Sequence, residues 1–156
     1  MALRRSATEL CISIDSRPEH LPRLRTVVGC LAADLGMSSE EAQDTKLAIT
    51  EACANAIRHG SPDGAGSGVT IKLVAGRGGM LAEVTDHGDG FDVNAITVPA
   101  PAERAGGMGI PLMRALSDRV EFLRNAKGMT VRLVKKVKGR ITRRGVASVR
   151  NKRQRI

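Results

Sequence analysis

Glu51 and Asn55 stand four residues apart in LAITEACANAIRHG, Leu47 to Gly60. On a helix that spacing puts a carboxylate and a carboxamide on one face, about one turn from each other, where they make a polar site. Two glycine stretches farther along add a second kind of chemistry. Asp86-x-Gly88-x-Gly90 and Gly107-Met108-Gly109 permit positive φ and close backbone approach, and glycines leading into a helix present free N–H groups and a positive dipole end to an anion. Both suit the phosphate or base of a nucleotide. Each feature alone has a plainer reading, a solvated helix face for the first and ordinary turns for the others. Neither glycine stretch is another familiar phosphate or metal loop. Gly-x-x-x-x-Gly-Lys-Ser/Thr does not occur, Gly107-x-Gly109 lacks the third glycine of a dinucleotide fold, and the Asp86 loop fails calcium-loop spacing.

The elements that must position these residues follow from periodicity. Leu10, Ile12 and Ile14 alternate as a strand. From Glu19 to Leu35 the residues Leu24, Val27, Val28, Leu31 and Leu35 keep helical spacing, with Pro22 acceptable only in the first turn and Gly36 as the stop. Ser38, three before Glu41, forms a capping box that starts the helix carrying Glu51 and Asn55. Its core stripe is Ala42, Thr45, Ile49, Ala52, Cys53, Ala56 and Ile57. Ser61 to Gly68, SPDGAGSG, predicts a flexible loop. Strands follow at Val69 to Leu73 and Met80 to Thr85, then a helix at Ile110 to Leu116 and a closing hairpin of Val120 to Leu123 and Met129 to Val137. This order predicts an α+β fold, a two-layer sandwich with helices on one face of a mixed, mostly antiparallel sheet.

Composition narrows the function classes. A chain of 156 residues fits one domain. Two Phe and no Tyr or Trp leave aliphatics to build the core and argue against stacking on nucleic-acid bases. Cys11, Cys30 and Cys53 are scattered without Cys-x-x-Cys spacing, so neither a disulfide framework nor a zinc site is supported, and they read as small buried hydrophobes in a reducing compartment. His20, His59 and His87 make no metal set, and His59 reads as packing and hydrogen bonding at its helix end. The N-terminus has no sustained apolar region, and no run approaches the ~18 residues needed to span a bilayer. A cytoplasmic protein with no membrane contact is expected.

Glu51-Ala-Cys-Ala-Asn55-Ala-Ile-Arg-His59-Gly60, Asp86-His-Gly88-Asp-Gly90 and Gly107-Met108-Gly109-Ile-Pro-Leu resemble, in this order, the N box and the two glycine boxes of the Bergerat-fold (GHKL) ATPases. The match is closest to the anti-sigma-factor serine/threonine kinases, whose N box also reads Asn-Ala-Ile-x-His-Gly. The resemblance spans roughly residues 8 to 137. It implies ATP and Mg2+ as cofactors, with Glu51 as general base and Asn55 in the magnesium shell. It also implies Asp86 as acceptor of the adenine amino group, with Gly88 and Gly90 letting backbone approach the base and Thr130 beside the adenine on a late strand. Residues 92 to 106 would be a short nucleotide lid, with Arg104 as its phosphate contact, although Gly106 before Gly107 departs from the family's spacing. Gly107, Met108 and Gly109 would give backbone N–H groups to the phosphates, and Arg23 would lie near the phosphates and the protein substrate. The implied partners are a sigma factor held by a kinase homodimer and a small antagonist protein phosphorylated on Ser or Thr. An alternative use of the same boxes is a nucleotide-gated module that sequesters its partner without phosphate transfer.

The net charge of +9 belongs to one end of the chain. Ten Lys or Arg and no acid lie in residues 135–156, which leaves 15 basic against 16 acidic groups elsewhere. The expected division is an ATP-binding domain over 1–137 and a basic, solvated tail over 138–156. Attraction to nucleic acid through that tail is the remaining, secondary reading.

Overall fold

The computed structural model describes residues 7–88, 109–126, 128–138 and 154–155. The strands are β1 (Thr8–Ile14), β2 (Val69–Gly76), β3 (Gly79–Thr85), β4 (Arg119–Asn125), β5 (Gly128–Lys136) and β6 (Gln154–Arg155), and the helices are α1 (Leu21–Asp34), α2 (Ser39–His59) and α3 (Gly109–Leu116). The sheet order is β4-β5-β3-β2-β1-β6. Every pairing is antiparallel except the short β1–β6 pair, which is parallel. The expected α+β sandwich with a mixed, mostly antiparallel sheet is therefore present.

Alternation along the strands separates the two faces. Ile12, Ile71, Val84 and Val131 are in register across β1, β2, β3 and β5, and all are buried. The next apolar row is Leu10, Leu73, Ala82 and Leu133. Against this face α2 sets Thr45, Ala48, Ile49, Ala52, Cys53 and Ala56, all buried, while Ala42 and Ile57 lie at the edge of the stripe. The opposite face carries a row of charge, Lys72, Glu83, Arg132 and Glu121, on four adjoining strands. Arg132 is 2.7 Å from Glu83 and 3.4 Å from Glu121.

Helix ends follow their local chemistry. The N-terminal helix begins later than its periodicity suggests, because Pro18–His20 form a 3-10 turn that delivers Pro22 into the first turn of α1. At its far end Gly36 takes φ +71°, and the Met37 and Gly36 N–H groups donate to Ala32 and Ala33, so a left-handed residue ends the helix. Ser38 and Glu41 close the capping box in both directions, at 3.1 and 2.8 Å. The Ser61–Gly68 loop is more constrained than its composition suggests. It contains a 3-10 turn at Gly64–Ser67, and the Ser61 hydroxyl donates to Ser16 Oγ at 2.6 Å while the Ser16 N–H donates to Ala65.

One expectation is corrected. Only Cys53 is buried, and Cys11 and Cys30 are exposed. Cys11 falls on the outward positions of β1 between Leu10 and Ile12, and Cys30 on the outer side of α1, so amphipathic alternation overrides the general tendency of cysteine to bury. Burial pushes the Cys53 thiol well above its ordinary value.

Glu41 also ties the end of β5 to the start of α2, because its second carboxylate oxygen accepts the Lys138 N–H at 2.8 Å. The Ser38 N–H first and the Lys138 N–H second hold its carboxyl below the usual glutamate range. A depressed folded value means that the ionised group stabilises the fold above the unfolded value of about 4.3, and that this contribution is lost as pH falls through the folded value. The gap in urea midpoint between the wild type and Glu41→Gln is therefore expected to close as pH is lowered from about 6 to about 3. A constant gap would mean that the carboxylate contributes nothing through its charge.

Candidate functional site

Three chain segments meet at Asp86, which leaves the end of β3. Its N–H donates to the Met129 carbonyl at 2.9 Å, and its Oδ1 accepts the N–H groups of Gly88 at 2.9 Å and Met129 at 3.2 Å. The His87 N–H donates to Gly60 at 3.2 Å. The close fit depends on missing side chains. A Cβ on Gly60 would lie 2.2 Å from Asp86 Cγ, and one on Gly128 would lie 1.9 Å from the Asp86 carbonyl oxygen. Gly88 in turn lies against Gly60, so a Cβ on it would come within 2.5 Å of the Gly60 Cα. Asp86 is thus held by backbone on several sides, with Oδ1 committed inward. Among the described residues nothing donates to Oδ2.

Beside Asp86 lies a shallow cleft that is open to solvent. Ala52, Asn55, Ala56 and His59 form its wall on α2, Met113 on α3, and Phe122, Met129 and Val131 its floor on β4 and β5. The small alanines leave the volume, and the floor is apolar apart from Asp86. Exposed Arg114 places its guanidinium 5.9 Å from the centroid of the Phe122 ring, at the cleft margin.

The second centre lies where α3 begins. A Cβ on Gly109 would stand 3.0 Å from Asn55 Nδ2 and 3.3 Å from Glu51 Oε2, so the first backbone of α3 packs directly on both α2 side chains. Glu51 and Asn55 are half-buried, and among the described residues neither side chain has a hydrogen-bond or ion-pair partner. A carboxylate and a carboxamide left unspent at a helix start are arranged for a ligand that brings its own charge. No cluster of three or more His, Cys, Asp or Glu occurs among the described residues. The donor set here, a carboxamide and one carboxylate, fits a magnesium ion that receives most of its oxygens from phosphate and water.

The structure thus brings together Glu51, Asn55, Asp86, Gly88 and Gly109. It does not bring Thr130 to the cleft. Thr130 pairs with Thr85 across β5 and β3, and their hydroxyls are 2.8 Å apart on the face away from the helices. Met129 faces the cleft instead, because consecutive strand residues point to opposite faces. Arg23 is exposed on α1 and is not among the residues lining the cleft. His59 is exposed at the cleft wall rather than packed at its helix end. Gly90, Arg104, Gly107 and Met108, with the lid of residues 92–106, lie outside the described residues. Sequence reasoning passed over Met113, Phe122 and Gly128. Of these, Gly128 was legible only as a turn residue, and Met113 could have been found one helical turn after Gly109.

A sequence profile described as "Histidine kinase-like ATPase domain" matches residues 14–135. The serine-protein kinase RsbW of Bacillus subtilis (strain 168) is 28% identical over 148 residues, covering 88% of this chain and 91% of its own. The protein of the same name from Bacillus pumilus (strain SAFR-032) is 32% identical over 137 residues, covering 80% and 83%. Among solved structures, the crystal structure of the RsbU and RsbW domains of a Mycobacterium tuberculosis protein superposes with a TM-score of 0.63 at 21% identity, covering 85% of this chain and 33% of that one. It shares the fold.

The glycine contacts set a stability test. Gly128→Ala is expected to cost about 1–3 kcal/mol in urea unfolding, because backbone rather than a flexible side chain must give way. Gly66→Ala, with nothing within 4 Å of its new Cβ, is the control. Equal effects would show that Asp86 is not confined as described.

Proposed function

The chain belongs to the family of histidine kinase-like ATPase domains, and from that premise we propose that it is an anti-sigma factor and an ATP-dependent serine/threonine kinase. In this reading a homodimer holds a sigma factor, and the kinase phosphorylates a small antagonist protein. The observation that carries the reading is the convergence at α2: Gly109 rests on Glu51 and Asn55, while one carboxylate oxygen of Asp86 has no donor among the described residues at the adjoining cleft.

The base of ATP enters the cleft over Met113, Phe122, Met129 and Val131, whose apolar surfaces exclude water from it. Asp86 Oδ2 accepts the amino group of adenine, and Oδ1 stays bound to backbone. Because Oδ1 is fixed by two N–H groups, the free oxygen has one direction in which to accept. The phosphates run toward the start of α3, where Gly109 offers its N–H; the family resemblance would add the N–H groups of Gly107 and Met108, Arg104 as a further contact and Gly90 beside the base. Bound Mg2+ supplies neutralisation of phosphate charge as the γ-phosphoryl group departs. Asn55 would give its carboxamide oxygen to the magnesium shell. Glu51 takes the proton of the Ser or Thr hydroxyl as that oxygen bonds to the γ-phosphorus. The bond from phosphorus to the bridging oxygen breaks, and ADP leaves. Arg23 stands outside the cleft, where it contacts the incoming protein. No helix among the described residues is long and apolar enough to cross a membrane.

The test uses purified protein, labelled ATP, magnesium and candidate antagonist proteins. Label should appear on a Ser or Thr of one antagonist, and Glu51→Ala should lower transfer by about 10²–10⁴-fold while nucleotide still binds. Asn55→Ala should weaken magnesium-dependent ATP binding, and Asp86→Asn should lose ATP affinity because an amide N–H can replace the needed acceptor. Binding of ATP with no transfer to any candidate would assign the site to nucleotide-gated sequestration instead.

A further inference from the structure

Every central position on the helix-facing side of β5 is apolar except one. Met129, Val131 and Leu133 are followed at the same two-residue period by Lys135, which pairs across the sheet with buried Met80. A lysine there must satisfy its ammonium group or lose hydration without return. Its side chain is only 12% exposed, and Nζ donates to the Leu116 carbonyl at 2.8 Å and to Asp44 Oδ2 at 3.2 Å. Leu116 is the last residue of α3, whose final carbonyls lack partners within the helix and carry the negative end of its dipole. Asp44 lies on α2 seven residues before Glu51, so the two carboxylates share one side of that helix. The same short helix is therefore held at both ends. Its last carbonyl is bound through Lys135 to Asp44 and β5, and its first residue rests on Glu51 and Asn55.

From this arrangement we infer that Lys135 is a positioning residue for the phosphate end of the site. It fixes α3 along α2 and so sets where the backbone at Gly109 stands relative to Glu51 and Asn55. An isolated helix of eight residues has little stability of its own, so its position comes from its contacts. The Asp118 N–H bond to Val134 and the Lys136 N–H bond to Asp118 secure the turn after α3. They do not reach α2, and among the described residues only Lys135 links the end of α3, β5 and α2 through the hydrogen bonds of one group. Met113 is the one α3 residue in the lining of the cleft around Asp86, whose other walls come from α2, β4 and β5, so most of its hold on a base does not pass through this lysine.

The inference rests on the nucleotide-binding reading, and the two are separable by comparing ATP with adenosine. Affinities of both ligands are measured by calorimetry on the full chain with magnesium, for the wild type, Lys135→Met and Lys135→Arg. Lys135→Met should weaken ATP about tenfold or more and leave adenosine within about twofold, whereas Lys135→Arg should restore much of the ATP affinity. In a variant that still folds, an equal loss of both ligands or an unchanged pair of affinities overturns the inference. If Lys135→Met does not fold, Asp44→Asn removes the charge partner from the more exposed side and is read by the same ratio. A wild type that binds neither ligand overturns the nucleotide reading, and the positioning role falls with it.

Discussion

The confinement of Asp86 is the constraint on which the other parts converge. Its carboxylate is fixed by two backbone N–H groups, and the space around it exists only because Gly60 and Gly128 have no side chains. Those glycines are also where α2 ends and β5 begins. One residue thus fixes the relative placement of α2 and the closing β4–β5 hairpin. In exchange, the fold obtains a single acceptor oxygen in a known direction at the edge of an apolar cleft. A looser carboxylate would turn toward water and select nothing.

The part of the site proposed to take the phosphates is organised differently. Among the described residues Glu51 and Asn55 have no side-chain partners, which suits groups whose partners arrive with a ligand, and the start of α3 closes on them through Gly109. The two ends of the site are therefore held by separate means. In the proposed reading the base end is rigid through backbone packing, while the phosphate end is inferred to depend on how a short helix is seated.

Much of this was legible in the sequence because it rests on local rules. The Ser38–Glu41 box, Gly36, the two-residue and four-residue periods and the glycine stretches each follow from chemistry within a few positions. The misplacements involve faces and distances that local rules do not reach. Thr130 and Met129 are neighbours, and which of them meets the cleft depends on the register of β5 against β3, since a shift of one residue exchanges the faces. Cys11 was read from residue type rather than from its place in the alternation. Lys135 was hidden because it heads a run of basic residues, and charge counting groups it with the residues that follow. Its partners Asp44 and Leu116 are 91 and 19 positions away. Periodicity carried one step farther along β5 would have marked it.

The row of Lys72, Glu83, Arg132 and Glu121 on the open face bears on how the chain finds this sheet. The apolar face fixes each strand only to within two residues, because a slip of two returns every hydrophobic side chain to the same side. In the observed pairing Glu83 and Glu121 each meet Arg132 on the adjoining strand, and Lys72 meets Glu9 on β1. A slip of two along β3 and β5 would set Arg132 against Leu81 or Thr85 and leave Glu83 without its cation. Cross-strand charge pairs are worth only about 0.2–1 kcal/mol each, too little to build the sheet. Repeated over three strand junctions, they are enough to tell the right alignment from its nearest imitation during folding.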